Sequence, residues 1–363
     1  MRGVSHEALG RHPRPQRGRI FQHCLAAVAA STRVPDELIV VDDASSYGSR
    51  ALAQQAGVRL VRVEQGPRGL AYARNRGAEA ASGDMLVFVD ADVAVHSDTL
   101  ARIERTFAEE PQLDALFGSY DDQPQAEGLV SRYKNLLHHY VHQHGQRRAS
   151  TFWAGCGAIR RQLFLACGGF DESYERPCIE DIELGVRLRS AGYRIRLCQD
   201  VQVTHLKRWT LAGLLRSDIR DRAVPWTRLI LREKSFPSDL NLSAAGRVSA
   251  VAAWGGLFGL LFGFWQAWTG VLGLLSLMLL VALNAKLYHF FARHGGVRFA
   301  AGAAALHALY LLYSSAVFGT LVGAHLATSL SRTLIRRTWS RRRSAPSRDP
   351  EGSGKRRTSH SSA

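Results

Sequence analysis

Apolar residues in the first half of the chain come in short unbroken runs, each ending on carboxylates. Residues 37–41 read ELIVV and stop at Asp42–Asp43; residues 85–89 read MLVFV and stop at Asp90 and Asp92. Runs of four or five apolar residues without alternation fit strands buried on both faces of a parallel sheet. A third strand is predicted over 58–63. Helices are predicted over 49–56 and 69–81, the second closed by Gly83. Alternation of this kind argues an α/β domain with a mainly parallel sheet. Farther on, Ile179, Ile182 and Val186 fall on one face of a helix ending near Gly192, which puts Glu180 and Asp181 in its first turn.

The second half has a different texture. No charged residue lies between Arg247 and Lys286, and residues 299–331 are interrupted only by His307 and His325. Spanning a bilayer takes about 20 apolar residues, so three transmembrane helices are predicted within 244–331, near 248–268, 271–291 and 300–326. Ahead of them, residues 206–235 interleave leucines with Arg216, Arg220, Arg222, Arg228 and Arg232 beside Trp209 and Trp226. This is the pattern of helices lying in an anionic membrane interface, with Pro225 expected to break the run. The Arg/Ser-rich stretch 332–363 reads as a disordered basic tail.

The 363 residues carry a formal charge of +16. Taken alone, that allows nucleic acid, anionic lipid or an anionic substrate; basic residues next to apolar spans favour lipid, and no nucleic acid is expected. Cys24, Cys156, Cys167, Cys178 and Cys198 form an odd set without a C-x-x-C pair, which indicates neither a zinc site nor a disulfide framework and fits a reducing compartment. The pair Asp90 and Asp92 changes the picture most. In open α/β sheets ligands bind beyond the carboxyl ends of the strands, and two acidic side chains there call for a hard cation and a phosphate-bearing substrate.

With LIVVDDAS, GLAYARNRGAEAASGDMLVFVDADV, GGFDE, IEDIELGVRLRSAGYRI and THLKRW standing in this order, the chain resembles the family 2 glycosyltransferases. These are inverting enzymes with a GT-A fold, a Rossmann-like and mainly parallel sheet, that use nucleotide-diphosphate sugars. The likeness runs from about residue 21 to 210. It implies a catalytic domain over 20–235, followed here by transmembrane helices. By the same resemblance Asp92, with His205 completing the shell, would hold Mg²⁺ or Mn²⁺ on the donor diphosphate, and Asp90 would bind the ribose. Asp43 would accept a hydrogen bond from the base, and Arg74 and Asn75 could reach the nucleotide. Asp181, with Glu180 beside it, matches the base that deprotonates the acceptor hydroxyl. Trp153 and the loop at Gly155 resemble the acceptor side, and Arg208 and Trp209 a pair near acceptor and diphosphate.

The implied function is transfer of a sugar to a lipid, lipid-linked or glycan acceptor by a multi-pass protein of the cell (inner) membrane, its catalytic domain cytoplasmic and facing anionic lipids. One departure stands out. The family opens on an apolar strand, whereas residues 1–19 here are basic and Pro13 and Pro15 oppose a central strand. That first strand is therefore expected to be absent, as a misassigned start or shifted frame would leave it. The alternative function follows from that loss: a catalytically impaired membrane scaffold retaining the fold.

Overall fold

The computed structural model describes residues 2–7, 15–45, 47–233 and 244–343. Its centre is an eight-stranded sheet of order β3-β2-β1-β4-β7-β6-β8-β5. The buried runs anticipated above are β2 (Leu38–Asp42) and β4 (Met85–Asp90), with β3 at Arg59–Arg62. Between β2 and β4 runs β1, Arg2–Glu7, parallel to both, with Val4 paired to Ile39 on one side and Phe88 on the other. This corrects the expectation of a missing first strand. Pro13 and Pro15 lie beyond it, and Pro15 is the first residue of helix α1 (Pro15–Ala29), where its lack of an N–H costs nothing. A gap between two buried strands leaves two rows of backbone groups to be paired, and any segment with free donors and acceptors meets that need better than apolar periodicity forecasts.

Helices α2 (Tyr47–Gln55) and α3 (Leu70–Ala80) connect the parallel strands. Strands β5 (Val93–Val95), β6 (Ala115–Tyr120), β7 (Cys156–Arg160) and β8 (Ile195–His205) complete the sheet. Of these, β7 runs antiparallel to β4 and β6, and β5 antiparallel to β8, which makes the sheet mixed. Helices α4 (Thr99–Glu109), α5 (Leu129–Gln143), α6 (Arg161–Ala166) and α7 (Glu180–Ser190) cover it. One core gathers Phe88, Phe117, Phe152, Phe164 and Phe170 with Leu184 and Leu188 of α7. The buried face of α7 is thus Glu180, Leu184, Gly185 and Leu188, not Ile182 and Val186 as the periodicity suggested. The rotation has a steric cause. A Cβ on Gly185 would sit 2.1 Å from the Phe152 nitrogen, so the bare glycine lets α7 lie directly on the 151–152 backbone.

Residues 211–233 form one helical run: α8 (Leu211–Arg216), a π-helix (Ser217–Ala223) and α9 (Val224–Glu233). Pro225 does not break it. It stands in the first turn of α9, where proline is tolerated. The apolar region holds α10 (Ala244–Phe262), α11 (Ala267–Leu283) and α12 (Ala285–Arg343). Two of them, over Ala244–Phe262 and Ala285–Ser329, are long and apolar enough to cross a membrane by length and composition. α10 and α11 pack backbone to backbone: a Cβ on Gly259 would lie 2.5 Å from the Gly273 Cα, the close approach that small residues four apart permit between apolar helices.

The second predicted span, 271–291, is not one helix. α11 ends at Leu283, and α12 starts at Ala285 and turns again at Gly296, whose φ is 76°. The first part of α12 docks on the α/β domain, Leu287, Phe291, Phe299 and Ala303 joining Tyr133, Leu136 and Leu137 of α5 in one cluster. The Arg132 guanidinium donates to the His294 carbonyl at 2.6 Å, and His294 Nε2 meets Asp122 at 3.1 Å. The basic segment after Arg332, expected to be disordered, continues α12 as far as Arg343; residues 344–363 lie outside the described residues. Chain contacts divide at 318/319 into two compact units.

Candidate active site

The candidate residues gather at the carboxyl ends of β4 and β8 and the amino end of α7. Arg74, reaching over from α3, ties them together. It is 2% exposed, and its two terminal nitrogens donate to Asp90 Oδ1 and Glu180 Oε1, each at 2.7 Å. Its guanidinium also lies over the Phe170 ring, 5.3 Å from the centroid. Arg74 thus fixes the strand-end carboxylate and the start of α7 to one point.

Glu180 and Asp181 are neighbours with different surroundings. Glu180 is buried; Oε1 takes the Arg74 bond and Oε2 accepts the Cys178 N–H at 2.8 Å. Both oxygens are engaged, so Glu180 anchors the helix start and is not an open base. Asp181 is half-buried, its Oδ2 accepting the Ala154 N–H at 3.1 Å and its Oδ1 the Ile182 N–H at 2.8 Å. Burial, and then the negative charge of Glu180, push its carboxyl up to about 6 against the opposing pull of Arg74. A carboxyl titrating near neutrality, with lone pairs left over, can accept a proton from a bound hydroxyl.

The loop at Trp153 and Gly155 links these groups a second time. The Ala154 N–H bonds Asp181, and the next carbonyl, that of Gly155, accepts the Asp90 N–H at 3.2 Å. The Trp153 indole lies across Gly155, where a Cβ would fall 2.4 Å from the ring, and meets Tyr120 edge-on at 4.8 Å.

Asp92 and His205 face each other across the strand ends, Oδ2 to Nε2, at 3.7 Å. The His205 ring stacks on Tyr120 at 4.4 Å, and its Nδ1 donates to the Asn135 side-chain oxygen at 2.6 Å. With Nδ1 protonated in a neutral imidazole, Nε2 presents a lone pair to a carboxylate. Two acceptors pointing at each other want a cation between them. Their separation falls between the roughly 3.0 and 4.2 Å spanned by adjacent and opposite ligands of an ion bound at about 2.1 Å. Loss of water raises the Asp92 carboxyl, but positive charge beside it, on Lys207 and on the His205 ring whenever that ring takes up a second proton, outweighs this and holds it well below the usual range. An ionised carboxylate and a nitrogen lone pair would suit a divalent cation; among the described residues no third His, Cys, Asp or Glu joins them.

Two residues expected at the nucleotide also make bonds within the protein. The Asp43 oxygens accept the Arg68 and Gly69 N–H groups, both at 2.7 Å, pinning the entry to α3. Asn75 spends its amide on the Phe170 backbone, accepting its N–H and donating to its carbonyl at 2.9 Å each, and also donates to Glu172. It clamps the GGFDE loop. Arg208 is exposed, whereas Trp209 is half-buried with its backbone N–H on Ser131 and Lys207 Nζ 4.2 Å from its ring centre. The structure therefore separates this pair. Sequence reasoning missed Tyr120 and Asn135, which orient His205; both are ordinary core residues by pattern, and no local signal marks them. A cavity of about 90 Å³ between α7 and α9, lined by Val186, Trp226 and Leu229, lies apart from these carboxylates.

Residues 17–168 match the family model described as glycosyl transferase family 2. The O-antigen biosynthesis protein RfbC of Myxococcus xanthus is 24% identical over 213 residues, 53% of this chain and 17% of that protein. The glycosyltransferase GlyA of Streptococcus pneumoniae is 29% identical over 177 residues, 48% of this chain and 25% of that protein. The chain thus spans a quarter or less of the length of these two relatives. Among solved structures, the mannosyltransferase PcManGT of Pyrobaculum calidifontis, in complex with GDP-Man and Mn²⁺, superposes with a TM-score of 0.52 at 18% identity, covering 84% of this chain and 86% of that one; this likeness speaks for the fold. Through residues 17–168, the chain is similar to glycosyl transferase family 2.

Proposed function

We propose that the protein is an inverting glycosyltransferase that moves a sugar from a nucleotide-diphosphate sugar to a lipid, lipid-linked or glycan acceptor at the cytoplasmic face of the cell (inner) membrane. One observation carries this reading: Asp181, its carboxyl raised to about 6, is bound through Ala154 and Gly155 to the strand end that bears Asp90 and Asp92, and its neighbour Glu180 is tied to the same Asp90 through Arg74. In that arrangement Asp181 takes the proton from the acceptor hydroxyl as the new bond forms opposite the leaving group. Asp92 and His205 hold a divalent cation, Mg²⁺ or Mn²⁺, as the Mn²⁺-containing relative does in its own way. When bound, the ion supplies Lewis-acid neutralisation of the departing diphosphate. Arg74 keeps Asp90 in place for the ribose, and Asp43, with lone pairs beyond its two backbone bonds, receives the base. The apolar helices α10 to α12 embed beside the site, and nucleotide sugars reach it from the cytoplasm.

The alternative of a non-catalytic scaffold rested on an absent first strand, and Arg2–Glu7 stand in that place. The test is direct. The full chain in detergent is offered a panel of nucleotide sugars with Mg²⁺ or Mn²⁺ and membrane-lipid extract, and release of nucleoside diphosphate is followed. Metal-dependent release with at least one donor is expected; none with any donor, from folded protein, refutes the reading.

A further inference from the structure

His205 and Asp92 face each other at 3.7 Å, too far for a hydrogen bond and of the size a shared cation leaves. Which of the two the pair becomes depends on one proton. A neutral imidazole carries a single N–H, on Nδ1 or on Nε2. On Nε2 it points at Asp92, and a small shift closes the pair into a hydrogen bond with no lone pair left for a metal. On Nδ1 it points away, toward α5, and Nε2 keeps its lone pair.

The α5 side of the ring is built to take that proton. Nδ1 lies 2.6 Å from Asn135 Oδ1, and His205 and Asn135 are only 6% and 2% exposed, so no bulk water competes for the bond. Asn135 stands on a braced stretch of α5. One turn before it, the Ser131 hydroxyl accepts the Trp209 N–H at 2.9 Å and donates to the Trp209 carbonyl at 3.2 Å. Beside it, Lys134 Nζ donates to Asp218 at 2.6 Å. One turn after it, His139 Nδ1 donates to the Tyr120 carbonyl at 2.7 Å, and the Tyr120 ring is the one stacked on His205. The edge contact and the face contact of the imidazole therefore hang from the same helix.

Packing does not account for the amide. Asn135 Nδ2 is buried and has no hydrogen-bond partner. A buried donor left unpaired costs free energy that a leucine of similar volume would not. A carboxylate would accept the same proton without an orphan donor, but it would set a second negative charge behind the ring. The amide oxygen takes the proton and adds no charge.

We infer that Asn135 is a positioning residue that holds the His205 proton on Nδ1, and so keeps Nε2 and Asp92 as two acceptors open to a divalent cation. Without it the proton moves to Nε2 and the pair satisfies itself. The inference deepens the glycosyltransferase reading, on which the role of the cation rests; the position of the proton does not depend on that reading.

The test uses the full chain in uncharged detergent micelles, labelled with ¹⁵N-histidine and stripped of metal by chelator. Long-range ¹H–¹⁵N spectra at about pH 8, where an ordinary imidazole is neutral, report which ring nitrogen carries the proton. The His205 signals are those missing from His205→Gln. Nδ1–H is expected in the wild type and Nε2–H in Asn135→Leu. Asn135→Asp, which keeps an acceptor oxygen, restores Nδ1–H. Mn²⁺ alone is then titrated into each protein, and the free ion is followed by electron paramagnetic resonance. Asn135→Leu should weaken the binding that His205→Gln abolishes by at least about tenfold, the usual cost of losing such an outer contact. Asn135→Asp should bind Mn²⁺ much as the wild type does. A merely structural role would lower the melting temperature of Asn135→Leu and leave the proton where it was. That result overturns the inference, as does Nε2–H in the metal-free wild type. Should Asn135→Leu fail to fold, the wild-type and Asn135→Asp spectra decide, and Nε2–H in either refutes it. No sugar donor enters this experiment, so a failed diphosphate-release assay leaves the position of the proton standing, and a misplaced proton leaves that assay standing.

Discussion

Replacing Glu180 by Gln tests how the structure sets the proton affinity of Asp181. The Asp181 carboxyl is raised from 3.8 to about 6, first by burial and next by the charge of Glu180, with Arg74 pulling the other way. For a base that must be ionised, a midpoint near 6 leaves roughly nine-tenths active at pH 7 and roughly one-tenth at pH 5, so kcat/KM should fall about tenfold between them. The Gln variant removes the Glu180 charge and leaves Arg74 neutralised by Asp90 alone, so both changes lower the midpoint. A drop of one unit, worth about 1.4 kcal/mol, would raise the ionised fraction at pH 5 from roughly one-tenth to one-half, a fivefold gain in relative activity there. The variant also loses one charged partner of a buried arginine, so its melting temperature should fall. Stability follows the opposite sign from activity. A carboxyl whose folded value is raised favours the fold fully below its unfolded value of 3.8, and that contribution is lost as pH rises through about 6. The assay is the pH–rate profile of both proteins at saturating metal, read from diphosphate release. An acid limb that does not move in Glu180→Gln refutes the assignment, because a limb arising elsewhere is indifferent to this charge.

Three further outcomes are expected. Asp92→Ala and excess chelator should each reduce turnover of the wild-type level severely and, applied together, no further than either alone; additive losses would place the metal elsewhere. Gly185→Ala puts a Cβ 2.1 Å from the Phe152 nitrogen, so it should cost about 1–3 kcal/mol by overpacking and depress turnover by moving Asp181 off Ala154, measured by thermal melts and rate. Lys286→Cys and Arg298→Cys, both exposed in the part of α12 that docks on α5, should resist a membrane-impermeant thiol reagent in intact cells and react after lysis; labelling in intact cells would mean that this segment is not on the catalytic side.

What the sequence determined by itself is the set of features written in neighbouring residues. The apolar runs before Asp42 and Asp90 are strands β2 and β4, the stretch after Gly69 is α3, and the ordered motifs point to the glycosyl transferase family. Apolar content and helical spacing are local quantities, so a short window carries them. Tertiary structure decided what each side chain does at the site. Asn75 and Arg74 stand side by side on α3, yet one is spent on Phe170, 95 residues away, and the other on Glu180, 106 residues away. Adjacent residues of the E-D pair separate into a buried anchor and a half-open carboxylate only because Gly185 lets α7 settle on the Phe152 backbone. The first strand shows the same limit from the other direction. Residues Arg2–Glu7 have little strand character of their own, and their conformation is imposed by the backbone edges of β2 and β4 between which they lie. Hydrogen-bond partners are chosen across the whole fold, after the local elements have formed, and no window of sequence contains both members of such a pair.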